Sequence, residues 1–460
     1  MVSTLSAGVG LAEPVSSQTM GSEKIQPRTL KGFRDLTPEM MIPREGIVAA
    51  AKGVYESFGF SPIDTPALEY TEILLGKGGA ETDKQLYRFE DNGGRDVALR
   101  FDLTIPFARF AAQHIGSLGT PFKRYHVGPV WRGENTQRGR YREFVQCDFD
   151  TIGTTSTVAD TESTLVIHDL FVALGFERFS VRLNNRKVLS GVLERLDLAD
   201  QAENVLRALD KLAKIGPEKV TAEMVSTAGC SEAQAAEVLA LAAITGDNAA
   251  ILSALEPLVG DSELGSQGLG ELTAVLEGVQ AAGVTEGRVR LDLSIARGLD
   301  YYTGTVFETF LDDLEGIGSC CSGGRYDDLA SLYTKQALPG VGASLGVDRL
   351  LAAMEELGML AGRAASAPVF LAFFDGERAS DYVALAARLR AAGVGVELYP
   401  EPRKLGAQLK YADRRGHRLA IIVGPDEWEA GRCQLKDLDA KTSDEVALDD
   451  LASACLQRLG

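Results

Sequence analysis

Between Lys31 and Arg195 the apolar positions change period several times. Around Pro43–Ser57 they recur at helical spacing and stop before Gly59, which predicts a helix there. The next stretch, Phe60-Ser61-Pro62-Ile63-Asp64-Thr65-Pro66, reads as extended chain, because residues ahead of proline avoid the α region. Asp96–Phe101, Arg124–Trp131 and Phe144–Ile152 are short runs of strand character. Strands set among loops and helices predict an α+β unit around a largely antiparallel sheet.

From about Asp197 to Thr285 the composition turns to Ala, Leu and Glu with few aromatics. Val205, Leu206, Leu209, Leu212 and Ala213 share one helical face. Ser231-Glu232-Ala233-Gln234 reads as a capping box, and Pro217 suits the first turn of another helix. The segment is predicted to be an insertion of several short helices. Strand alternation returns at Val289–Ile295, and the mixed pattern of the first unit resumes to about Leu360. After a linker at Ala361–Ala367, strand-like Val369–Phe374, Val394–Leu398 and Leu419–Val423 alternate with helical Ala379–Ala392, Lys404–Tyr411 and Glu445–Leu459. That alternation predicts a separate α/β domain. Residues 1–27, rich in Ser, Gly and Thr and without periodicity, read as a disordered tail.

Composition narrows the class. At 460 residues, 45% hydrophobic and 24% charged, the chain has the mix of a globular protein of about three domains and excludes disordered, collagen-like and disulfide-scaffold classes. No apolar run approaches the ~18 residues of a membrane helix, so no membrane partner is expected. The first twenty residues carry no Lys or Arg, unlike a secretory or transit peptide. Six cysteines without a CxxC read as reduced thiols of a cytoplasmic protein, and four scattered histidines make no metal cluster. A net charge of −18 argues against a general nucleic-acid coat but leaves room for a local basic groove.

The densest chemistry lies in Phe122–Gly153. Arg132, Arg138, Arg140 and Arg142 fall within eleven residues, with Glu134 and Glu143 among them. Guanidinium forks match phosphate and carboxylate oxygens, so the cluster suits a polyphosphate; the alternative is a solvated hairpin with surface ion pairs. Gln146, Asp148 and Asp150 alternate along a strand and so point to one face, where burial is costly without a cationic partner. Asp102 and Thr104 are predicted to share one side of an extended segment, which taken alone also fits an edge strand with outward polar residues. Leu291–Phe307 brings Tyr301 and Tyr302 to a planar ligand or to a packed core. Gly340–Leu351 is glycine-spaced strand running into a helix that begins near Arg349. No GxGxxG or Walker pattern is present.

Together these patches resemble the class II aminoacyl-tRNA synthetases, and within them the histidyl-tRNA synthetase family, from about Arg28 to the C-terminus. The helix and strand ending at Pro66 resemble motif 1, GPVWRGENTQRGRYREFVQCDFD resembles motif 2, and GVGASLGVDRLL resembles motif 3. ARGLDYYTGTVFE and SGGRYD are similar to the two signatures peculiar to the histidine enzymes, and LRFDLTIPFAR, ARGLDYYTG and REFVQCDFD resemble their eukaryote-like branch more than the commonest bacterial form. The resemblance implies a tail at 1–27, a catalytic domain at 28–195 and 287–361, a helical insertion at 196–286 and an anticodon-binding domain at 366–460. It implies a histidine–tRNA ligase that activates L-histidine with ATP and charges tRNA(His), as a cytoplasmic homodimer, with Mg²⁺ on the β/γ-phosphates and no metal held by side chains.

Position by position, Arg132 and Arg349 would neutralise the α- and γ-phosphates, Arg140 would reach the β/γ-phosphates, Phe144 would stack on adenine and Glu134 would approach its edge. Asp102, Leu103, Thr104 and Gln146 would hold the α-ammonium side of histidine. Asp150, Tyr301 and Tyr302 would take the imidazole, and Arg297 the α-phosphate and carboxylate, as a catalytic cation beside Arg132. Gln137 and Arg138 in the motif 2 loop, and Arg403, Lys404, Lys410 and Arg414 in the C-terminal unit, would contact tRNA. The loop reads Glu134-Asn135-Thr136-Gln137-Arg138 rather than the Glu-Arg-Pro-Gln-Lys of the usual bacterial enzymes, which bears on how the 5′ end of tRNA is read. Two rivals share the fold: a silent paralogue serving as regulatory subunit of ATP phosphoribosyltransferase, and an adenylate-forming ligase acting on something other than tRNA. The first usually loses the anticodon module and active-site arginines, which this chain keeps.

Overall fold

A computed structural model describes residues 25–76, 85–295, 301–360 and 362–460. The first eleven strands are β1 (Ser61–Pro62), β2 (Leu68–Tyr70), β3 (Tyr87–Glu90), β4 (Asp96–Leu99), β5 (Phe122–Trp131), β6 (Glu143–Ile152), β7 (Phe179–Asn185), β8 (Val289–Leu291), β9 (Thr305–Leu311), β10 (Cys321–Tyr326) and β11 (Gly340–Gly346). Eight of them form one sheet in the order β1-β5-β6-β11-β10-β9-β7-β8, antiparallel except for the parallel end pairs β1–β5 and β7–β8. β2, β4 and β3 make a small antiparallel sheet beside it.

The antiparallel prediction for the first unit therefore holds, with a longer hairpin than its pattern suggested: β5 and β6 pair without a break from Phe122–Ile152 to Trp131–Glu143. Alternate residues of β6 part company. Cys147 and Phe149 enter the apolar core, while Gln146, Asp148 and Asp150 face the other side. The core side is covered by α1 (Pro38–Ser57), whose Ile47, Val48, Ala51 and Tyr55 are buried, and Tyr55 Oη donates to the Cys147 carbonyl at 3.0 Å. This helix starts earlier than its pattern predicts because Pro38 occupies its first turn and Pro43 is accommodated inside it.

The predicted extended run through Asp102 and Thr104 is corrected. After the short α2 (Thr71–Leu75), α3 occupies Thr104–Leu118, and Asp102 sits in the turn before it, its Oδ1 accepting from the Ile105 N–H at 3.1 Å. The carboxyl so meets an open N–H of the first turn, where Pro106 needs none. α4 (Thr157–Ala173) then packs behind the sheet.

The helical segment comprises α5 (Arg186–Arg195), α6 (Ala202–Leu209), α7 (Leu212–Ile215), α8 (Pro217–Ala228), α9 (Glu232–Ala242), α10 (Asn248–Val259) and α11 (Glu263–Ala281). Ser231 and Gln234 form the predicted capping box, and Pro217 opens α8. α5 and α11 meet at glycines: a Cβ on Gly191 would overlap the Gly265 backbone at 2.5 Å, so larger residues would force the helices apart. α12 (Val347–Glu356) follows β11 directly.

The C-terminal unit has five strands, β12 (Val369–Leu371), β13 (Val396–Leu398), β14 (Leu419–Ile422), β15 (Arg432–Asp437) and β16 (Thr442–Ala447), in the order β13-β12-β14-β15-β16. Its helices are α13 (Ala379–Ala391), α14 (Leu405–Arg415), α15 (Pro425–Ala430) and α16 (Leu451–Leu459). The helix predicted over Glu445–Leu459 is only its second half. Residues 442–447 instead pair with β15, whose Cys433, Leu435 and Asp437 alternate inward, and Lys441 at φ 56° closes the turn. Few apolar residues mark β16 as a strand; its partner decides its state.

Candidate active site

The polar face of β5, β6 and β11 carries the predicted acids. Arg124 stands opposite Asp150, His126 opposite Asp148 and Gly128 opposite Gln146 across the β5–β6 ladder. A cavity of about 590 Å³ opens over this face, and its wall includes Asp102, Thr104, Gln146, Asp150, Tyr301 and Tyr302 at one part and Arg132, Glu134, Arg140, Phe144 and Arg349 at another. Residues separated by up to 247 positions in sequence (from 102 to 349) thus share one cleft. Glycine makes the room: a Cβ on Gly342 would run into the Asp150 carboxylate and the Phe149 carbonyl.

Asp150, 2% exposed, accepts from Tyr326 Oη at 2.6 Å, and Arg124 Nη2 lies 2.5 Å from its other oxygen without an N–H lined up on it. Asp102 keeps Oδ2 buried without a hydrogen-bond partner, and Gln146 keeps Oε1 so. Burial pushes Asp102 and Asp150 up to about 6 and Asp148 up to about 7, against the opposing pull of nearby arginines. Burial likewise raises Tyr301 and Tyr302, whose rings meet edge to face at 4.9 Å. Carboxylates held at this expense with open acceptors describe a site for a small cation. Leu103 is fully buried, and its carbonyl accepts from Arg124 Nη2 at 3.2 Å.

The other part is cationic. Arg132 Nε donates to the Phe101 carbonyl at 2.9 Å and its guanidinium lies 5.2 Å from the Phe144 ring centre. Glu134 pairs with Arg140 at 2.6 Å and stands 3.8 Å from Arg132. Arg349 donates to the Ser319 carbonyl, and Gly139, at φ +70°, lets the hairpin loop pass close to the Arg349 backbone. Asp348 ties the two strands' ends together, accepting from the Val145 N–H at 2.8 Å and from Arg34 at 2.5 Å. Arg297 lies outside the described residues.

Gln137 and Arg138 stay on the exposed loop, with Arg138 paired to Glu356 at 2.9 Å. Far along the chain, Arg403, Lys404, Lys410 and Arg414 are exposed on and just before α14, Lys410 and Arg414 one turn apart. Arg403 pairs with Glu401 at 2.7 Å, and the neighbouring Arg415 and Arg418 lie 3.8 Å from Glu397 and 3.2 Å from Asp437. α6 and the turn after it bring Glu203, Arg207 and Lys211 to the cavity wall as well.

Sequence reasoning missed Arg124, His126 and Arg100, all buried beneath the acids. Their signal was available: Arg124 and His126 alternate on β5 with the same period as the acids on β6. Arg100 gave none, since only the fold carries it to the Thr65 carbonyl, 2.5 Å away.

Comparison with known proteins converges on one family. The family model described as Histidyl-tRNA synthetase matches residues 32–350, and the one described as Anticodon binding domain matches 371–458. A curated relative from Rhodopirellula baltica, a histidine–tRNA ligase, is 61% identical over 423 residues, covering 92% of this chain and 96% of that protein. The crystal structure of histidyl-tRNA synthetase from Nostoc sp. superposes with a TM-score of 0.85 at 36% identity, over 95% of this chain and all (100%) of the other. A structure from Bacillus halodurans described as an ATP phosphoribosyltransferase regulatory subunit/histidyl-tRNA synthetase gives 0.71 at 25% identity, over 85% and 97%.

Proposed function

The chain belongs to the histidyl-tRNA synthetase family and is a histidine–tRNA ligase, and from that premise we propose how its cleft divides the work. One observation carries the assignment: buried acids with open acceptors and a set of arginines line the same cavity. Asp102, Thr104 and Gln146 hold the α-ammonium group, while Asp150, Tyr301 and Tyr302 take the imidazole. Asp150 is pinned for this by Tyr326 and Arg124, so its orientation is set before histidine arrives. A pocket that hydrogen-bonds the ring rejects analogues lacking those nitrogens by orders of magnitude.

ATP lies across the arginine side with adenine on Phe144, its phosphates met by Arg132, Arg140 and Arg349. The Glu134–Arg140 pair must open for this, freeing Glu134 for the adenine edge. The histidine carboxylate attacks the α-phosphorus in line, the bond to the β-phosphate oxygen breaks, and pyrophosphate leaves. The tRNA 3′-terminal ribose hydroxyl then attacks the adenylate carbonyl and AMP departs. No side chain serves as nucleophile; guanidinium groups, Arg297 among them, stabilise the charge that develops on phosphorus oxygens. Among the described residues no group of three or more His, Cys, Asp or Glu could hold a metal. Mg²⁺ carried in by the triphosphate would neutralise phosphate charge, and Glu308 on the cavity wall is the side chain that would help to hold it.

Arg403, Lys404, Lys410 and Arg414 would meet tRNA phosphates at the anticodon end, and Gln137 and Arg138 the acceptor end. Leu68, Tyr70 and Phe89, exposed together on the small sheet, support a homodimer through this side of the molecule. No helix among the described residues is long and apolar enough to cross a membrane. The regulatory-subunit reading is disfavoured by the matched anticodon domain at 371–458. The test is pyrophosphate exchange with each standard amino acid, with and without Arg297→Ala. Exchange should require histidine and vanish in the variant while the protein stays folded; retained exchange would contradict the role given to Arg297.

A further inference from the structure

The two amide atoms of Gln146 keep different company. Nε2 donates to Ser344 Oγ at 2.7 Å, whereas Oε1 is buried with no hydrogen-bond partner on a residue that lines the cavity. Ser344 lies directly opposite Asp148 across the β6–β11 ladder, where facing side chains touch. Ser344 Oγ accepts from Gln146, so its own proton is free for the facing Asp148 carboxyl group, which is 1% exposed and keeps Oδ1 buried without a hydrogen-bond partner. Asp148 thus sits two residues from Gln146 on the same face of β6, with Ser344 between them.

A serine hydroxyl has one proton to give, and the Asp148 carboxyl, ionised above about pH 7, can then only accept it. With the Ser344 proton directed to Asp148, only oxygen lone pairs are left for Gln146. The glutamine must then offer an N–H to Ser344 and turn its carbonyl oxygen to the cavity. We propose that Asp148 is a positioning residue that acts through Ser344 Oγ to fix the Gln146 carboxamide with Oε1 toward the substrate's α-ammonium group. This rests on the reading of Gln146 as an ammonium ligand. Without Asp148 the best acceptor for the Ser344 proton is Gln146 Oε1 itself. The amide then turns over and sets an N–H against a cation, replacing an attraction by a repulsion. Removing Ser344 leaves the amide free to take either orientation.

The experiment measures KM for histidine and for ATP in pyrophosphate exchange by the full chain at pH 8, where Asp148 is mostly ionised. Gln146→Ala should raise the histidine KM, which tests the ligand reading by itself. Ser344→Ala and Asp148→Ala should each raise it about tenfold or more, the range of a hydrogen bond to a charged group, with the ATP KM within twofold of wild type. The double variant should be no worse than the worse single one, because both break the same relay. Gln146→Glu placed on Ser344→Ala should return the histidine KM toward wild type, since either carboxylate oxygen accepts. If Gln146→Ala leaves the histidine KM unchanged, the ligand reading falls and the relay with it. If Gln146→Ala is impaired but Ser344→Ala is not, the relay alone is overturned. Additive losses in the double variant would also overturn it, by showing that Asp148 acts through its charge. Should Asp148→Ala fail to fold, Ser344→Ala and its rescue by glutamate decide the matter.

Discussion

Asp148→Asn is expected to stabilise the ligand-free protein, and increasingly so as pH rises. Burial lifts this carboxyl from an ordinary 3.8 to about 7 in the folded chain. At 1.36 kcal/mol per tenfold change in proton affinity, ionising it inside the fold costs about 4 kcal/mol. The sign follows from proton counts. Between pH 3.8 and 7 the folded protein holds this proton more tightly than the unfolded chain, so the stability contributed is full below the lower value and lost as pH rises through the upper one. Asparagine keeps the shape and an acceptor for Ser344 but has no proton to lose. Most of the difference falls between pH 5 and pH 8, about 3 kcal/mol in favour of the variant. Denaturant unfolding of both proteins without ligands, at those two pH values, measures it. Asp102 and Asp150 are shifted the same way and repel the Asp148 anion, so removing its charge eases their ionisation too and adds to the advantage of the variant at the higher pH. A gap that stays flat or narrows toward pH 8 would show that the fold stabilises the Asp148 anion and would refute the reasoning.

Other expectations are simpler. Asp150→Ala should raise the KM for histidine at least tenfold more than that for ATP, since it removes a charged hydrogen bond to one substrate only; equal losses in pyrophosphate exchange would argue against the pocket as assigned. Gly342→Ala places a methyl group against a backbone carbonyl in the middle of the sheet, where neither strand can give, and should destabilise by about 1–3 kcal/mol or prevent folding, read by thermal melting. Lys410→Glu with Arg414→Glu should weaken tRNA charging and flatten its salt dependence while leaving pyrophosphate exchange intact, and loss of exchange would place these residues elsewhere in the mechanism.

Much of this molecule is legible in its sequence because the relevant physics is local. Period-two alternation put Gln146, Asp148 and Asp150 on one face of β6 whatever that face met, since the pleat allows nothing else. The capping box at Ser231 and Gln234, the proline opening α8 and the glycine-spaced run into α12 are likewise properties of a few neighbouring residues. Other features depended on partners the chain supplies from a distance. Residues 442–447 form a strand because β15 offers an open edge, and α3 starts at Thr104 because Asp102 meets the N–H of Ile105. The balance of the site belongs to tertiary structure alone: Arg124 opposite Asp150, Tyr326 on the same carboxylate, and Ser344 between Asp148 and Gln146. A buried charge takes its properties from whatever surrounds it within a few ångströms, and those surroundings exist only once β5, β6, β10 and β11 have come together.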